Sequence, residues 1–169
     1  MDYYFLLLRI FHIGAGVFWV GSVLMLAFVI NPAVLETGET GQKFMDFLVK
    51  NKRFGTESAG AGTMAGIAGL LLYWRDSQGL TSAWMQASPG VGFGIGAVLG
   101  LIGYIFGILT DRKLKAMTAL RAQRGGALTE DQAAELQVLG KQQKTYLMIC
   151  AGALVLSLWT MAVARFLVF

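Results

Sequence analysis

Four stretches of the chain are almost unbroken in apolar residues, Tyr3 to Ile30, Thr56 to Trp74, Gly90 to Thr110 and Thr145 to Val168, and polar, charged segments separate them. Each is long enough to cross ~30 Å of hydrocarbon as a helix. The pattern predicts an all-α integral membrane protein, one four-helix transmembrane bundle over residues 1–169. Between the first two stretches, over residues 41–54, the rhythm changes. Phe44, Met45, Phe47, Leu48 and Phe54 alternate with Lys43, Asp46, Lys50, Lys52 and Arg53, the pattern of a short amphipathic helix lying in the interface. Asn31-Pro32 is predicted to end the first helix before it, because proline disfavours helix in the residue preceding it.

The third stretch carries on past Thr110. Asp111 to Arg124 keeps good helix formers, with Leu114, Met117 and Leu120 spaced at threes, until Gly125-Gly126 breaks the pattern. Thr129 followed by Gln132 is a capping-box start, and Leu136 and Leu139 lead an apolar stripe into the fourth stretch. These signals predict a helical hairpin over 111–144 that extends helices three and four roughly 20 Å beyond the membrane.

Composition agrees with the class: 56% hydrophobic residues, 14% charged and a mean hydropathy of +0.60 do not suit a compact water-soluble chain of 169 residues. The first stretch opens Met1-Asp2 without a basic n-region, and its apolar run exceeds that of a secretory signal, so it reads as a retained helix. Lys43, Lys50, Lys52 and Arg53 fall in the first connection. Arg112, Lys113, Lys115, Arg121, Arg124, Lys141 and Lys144 fall in the third, whereas the second has only Arg75. By the positive-inside rule both termini are then extracytoplasmic, in a bacterial cytoplasmic membrane. The net charge of +4 gathers on the inner face, where the lipid bilayer is its partner; nucleic acid is not indicated. Cys150 is the sole cysteine, which excludes an internal disulfide, and one His with one Cys falls short of a four-ligand zinc site.

Glycines recur at helical spacing: Gly62, Gly66 and Gly69 in the second stretch, and Gly92, Gly96, Gly100, Gly103 and Gly107 in the third. Small residues so placed let membrane helices approach closely. Packing within the chain ranks first as their use, a homo-oligomer second and a slot for a flat cofactor third.

The candidate chemistry lies in the first stretch. His12, the only histidine, stands one turn after Arg9, on a helix face shared with Gly16 and Trp19. Ionisable groups inside a span are costly and usually functional. His12 is placed roughly 13 Å along the first helix, a depth matched by Met64 and Met161 when the other helices are counted from the same side. An imidazole and a methionine thioether are haem ligands, and Arg9, Arg75 or Arg165 would suit the propionates. The competing structural role is a histidine donating to a backbone carbonyl across the bundle. No acid or lysine lies at the depth of His12, Glu57 and Asp111 marking the cytoplasmic ends, so an ion-coupled carrier is disfavoured, and no span carries the lysine of a retinal protein.

The segment Arg9-x-x-His12 followed by Phe18-Trp19-Val20-Gly21 resembles the copper-resistance protein D type of membrane domain and the HemJ-type protoporphyrinogen oxidases. The resemblance implies a four-helix bundle with either a b-type haem or copper handling, and His12 is the one ligand it carries over, to haem or to metal. Later helices here lack the further histidines or lysine those families use. Two readings follow. The first is a small membrane accessory or scaffold subunit that packs against itself or a larger membrane complex. The alternative is a b-type haem-binding, redox-linked protein with His12 as axial ligand, Met64 or Met161 as a second, and Arg9 or Arg165 on the propionates; copper handling ranks below both. An enzymatic role is not favoured.

Overall fold

A computed structural model describes residues 3–51, 53–123 and 129–166. All regular structure among them is helical: α1 (Tyr3–Met25), α2 (Asn31–Glu36), α3 (Glu39–Lys50), α4 (Phe54–Asp76), α5 (Ser88–Ala122) and α6 (Glu130–Val163). A wide π turn, Leu26–Ile30, joins α1 to α2, and a short 3-10 turn, Ala83–Gln86, precedes α5. Three helical segments, Tyr3–Glu36, Ser88–Ala122 and Glu130–Val163, are long and apolar enough to cross a membrane. The second apolar stretch, Thr56 to Trp74, forms α4, 23 residues long but diluted by glycine and alanine. The predicted break at Gly125-Gly126 lies outside the described residues.

The first helix does not end at Ile30. It runs through Asn31-Pro32 to Glu36, because Pro32 falls in the first turn of α2, where its missing N–H removes no bond. Just ahead of it the helix widens, with the Asn31 N–H bonded to the Leu26 carbonyl, which makes room for the ring. The amphipathic helix expected over 41–54 starts and stops earlier, as α3. Gly38, at φ 58°, turns the chain into it. Gly41 then lets α3 lie on α2, since a Cβ there would come within 2.6 Å of the Val34 Cα.

α3 is also pinned to the extension of α5. The Asp46 carboxylate accepts from the Thr118 hydroxyl at 2.7 Å and from the Arg121 guanidinium at 2.9 Å, while Met45 beside it is buried in the core. At the far end of this extension α6 begins with a complete capping box: the Thr129 side chain takes the Gln132 N–H, and the Gln132 side chain takes the Thr129 N–H.

The long helices pack as two antiparallel pairs, α1 with α4 and α5 with α6. Glycines set the second contact. The Gly96 carbonyl accepts from the buried Ser157 hydroxyl at 2.7 Å, and a Cβ at residue 96 would meet Met161 at 2.6 Å. A Cβ at Gly103 would meet Leu154 at 2.6 Å. Gly100 and Gly107 face the Ser157 hydroxyl and the Cys150 sulfur at ordinary contact distance. Trp19 joins the pairs: its ring covers Gly62 and meets Tyr104 of α5 edge-on, 5.9 Å between centroids. The large apolar side chains on the outside, Val17, Phe18, Leu70, Val98 and Leu101 among them, form a surface that water covers poorly and lipid covers well.

Candidate functional site

His12 faces α4. Its Nδ1 lies 2.8 Å from the Ala65 carbonyl oxygen. A carbonyl only accepts, so Nδ1 is the donor, and in the neutral imidazole Nε2 is then the nitrogen with the lone pair. The helices approach closely enough for this bond because α4 presents Ala65 and Ala68, both buried, and Gly69, where a Cβ would lie 2.8 Å from the ring. Trp19, two turns along α1, continues the same face onto Gly62.

Arg9 lies against Phe5, one turn before it on α1. Its guanidinium lies 4.8 Å from the centre of the Phe5 ring, and Arg75, from the last turn of α4, lies 4.0 Å from the same ring. One aromatic ring thus holds two guanidinium groups at one end of the α1–α4 pair, a cation–π arrangement.

The other predicted members are elsewhere. Met161 packs on Gly96, in the α5–α6 pair. Met64 follows α4 one residue before the His12 acceptor, with 45% of it exposed. Arg165 follows the end of α6, in a groove shared with Asp76. Gly66 has nothing within 4 Å of its Cβ position, so it does not join Gly62 in contacting another helix. The structure therefore brings His12 together with Ala65 and Gly69, and Arg9 with Arg75. Among the described residues no three His, Cys, Asp or Glu side chains gather into a metal-binding group.

A separate small cavity of about 40 Å³ lies between the helix pairs, where Trp19, Tyr104, Ser58, Asp111 and Cys150 meet. That is room for two or three waters. Asp111 is held there by Lys115 at 2.5 Å, and Gly55 of α4 sits directly on its carboxylate. Ser58 and Cys150 share this lining with the Asp111 carboxylate, and no histidine is among the lining residues. Its polar groups suit bound water.

Sequence reasoning did not find Asp46 and Arg121, the Asp111 cavity, or the Asp76 and Arg165 groove. Each depends on residues far apart in the chain, and local periodicity carries no signal for such pairs. Comparison with known proteins found no match: no family model fits the chain, and no curated protein or solved structure is similar to it.

Proposed function

We propose that the protein is an integral membrane scaffold or accessory subunit. Four helices, α1, α4, α5 and α6, cross a bacterial cytoplasmic membrane with both termini outside, and the outward face of α1 receives another helix, from a second copy or from a larger membrane complex. One observation carries this reading. Phe11, Gly14, Phe18, Gly21 and Met25 recur at alternating steps of three and four, and all are exposed. Neither Gly14 nor Gly21 has anything within 4 Å of its Cβ position.

That is the alternation of knobs and holes with which helices interlock. A face covered only by lipid gains nothing from glycine, which costs about 1 kcal/mol of helix propensity against alanine. A glycine that admits another backbone recovers this through van der Waals contact. Replacing Gly14 and Gly21 together by Leu fills the holes. In bilayers, single-molecule photobleaching should then count fewer subunits per particle if the partner is a second copy, and co-purification of another membrane protein should fall if it is not; both unchanged would remove the support.

A second reading rests on the imidazole tautomer. Metal-bound histidines typically donate their other ring N–H to a carbonyl or carboxylate, and His12 does so to Ala65. Nε2 is then the atom that would hold a b-type haem, which when bound supplies one-electron transfer. Arg9 would pair with one of its carboxylates. Met161 packs on Gly96 in the other helix pair, so His12 is the one ligand to which this reading commits. The absorption spectrum of protein purified with haem available tests this: a Soret band lost in His12→Ala supports it, and no Soret band in the wild type ends it.

A further inference from the structure

At the end of the bundle where α4 closes and α5 opens, an open groove of about 480 Å³ is lined by Asp76, Trp84, Pro89, Phe93 and Arg165. Its aromatic wall is built from several elements. Trp84 stacks on Phe93 at 6.3 Å with 22° between the planes, and Tyr73 meets Trp84 edge-on at 5.4 Å. The Tyr73 hydroxyl donates to the Gly90 carbonyl at 3.3 Å. Gly90 itself lets the 3-10 turn seat against α5, since a Cβ there would come within 2.7 Å of the Met85 Cα. The wall is therefore fixed by packing from three sides, unlike the exposed Trp74 and Trp159 near the same end.

The two charges of the groove are unsatisfied. Asp76 and Arg165 both line it, yet neither forms an ion pair with the other or with any described residue. Asp76 is moreover the last residue of α4, where the helix end already carries partial negative charge and a carboxylate is disfavoured unless a cation sits beside it. An aromatic face next to a carboxylate recognises an ammonium. A guanidinium at the same groove recognises a phosphate.

We propose that this groove binds a phosphate–ammonium zwitterion, with the ammonium against Trp84 and Asp76 and the phosphate on Arg165. Ethanolamine phosphate is the chemistry that fits. It is carried by phosphatidylethanolamine, whose headgroups lie at the level that exposed tryptophans such as Trp74 and Trp159 favour, and also by soluble headgroup esters.

The test uses the full chain in a non-ionic detergent, with bound lipid counted by native mass spectrometry after addition of equal phosphatidylethanolamine and phosphatidylglycerol. The second lipid has the phosphate without the amine. Wild type should retain phosphatidylethanolamine at least about tenfold over phosphatidylglycerol, the preference that one ammonium site gives. Asp76→Asn should bring that ratio to about one, Asp76→Glu should keep it, and Arg165→Gln should lower retention of both lipids. Added glycerophosphoethanolamine separates the sources. If it displaces the lipid, the site takes the free zwitterion; if it does not while the lipid preference holds, the acyl chains contribute and the lipid is the ligand. Equal retention of the two lipids by wild type, or a preference that survives Asp76→Asn, overturns the proposal.

Discussion

The His12 Nδ1–H donates to the Ala65 carbonyl at 2.8 Å, and the imidazole fits against α4 because residue 69 is glycine. The contact couples residues 12 and 69. Gly69→Ala gains helix propensity of about 1 kcal/mol, but its Cβ would lie 2.8 Å from a ring held by a hydrogen bond. In the wild type we expect a net loss of about 1 to 2 kcal/mol, from overpacking. In a His12→Ala background the same change should be neutral or stabilising. Thermal unfolding of the four proteins in detergent gives the coupling directly, and additive effects would show that the ring does not constrain residue 69.

The Asp46 carboxylate ties α3 to α5 through Thr118 and Arg121, and the ion pair is largely shielded, with side chains 22% and 11% exposed. Asp46→Ala strands both donors and should cost about 1 to 3 kcal/mol. Asp46→Asn still accepts the Thr118 hydrogen and should cost less. Hydrogen exchange localises the effect: α3 amides should exchange faster in Asp46→Ala, while those of α6 are unchanged.

The glycines of α4 and α5 separate by environment. Gly103→Leu drives a side chain into Leu154 and should lose about 1 to 3 kcal/mol, whereas Gly66→Leu meets nothing within 4 Å and should leave stability within about 0.5 kcal/mol or raise it. Equal losses at the two positions would mean that α4 and α5 do not pack as described.

The orientation that the basic connections imply has its own measurement. In intact cells, Gln86→Cys, at an exposed position of the second connection, should react with an impermeant thiol reagent and Gln123→Cys should not. Labelling at Gln123 alone would reverse the topology.

The sequence carried the long helices because each depends on local apolar content, and it carried the α6 start because a capping box is written in two residues, Thr129 and Gln132. Pro32 misled, since proline stops a helix only where an N–H is needed, and the widened turn at Leu26–Ile30 removes that need. The face shared by His12 and Trp19 was legible from their spacing. Their partners Ala65, Gly69 and Gly62 were not, because the register of α1 against α4 is decided by packing. The glycine rhythm likewise did not distinguish Gly62, under Trp19, from Gly66, which is open.

The central claim, that the face of α1 bearing Gly14 and Gly21 meets another helix, is tested most directly by cross-linking in native membranes. Phe18, exposed between the two glycines, is replaced by Cys in a Cys150→Ala background, and Val98→Cys on the exposed side of α5 serves as control. Oxidation or a short bis-maleimide should convert Phe18→Cys, and not Val98→Cys, into an adduct whose mass is twice that of the chain or that of the chain plus one membrane protein. Phe18→Cys that stays at the mass of a single chain, or cross-links no more than Val98→Cys, would show that this face meets only lipid and would contradict the scaffold assignment.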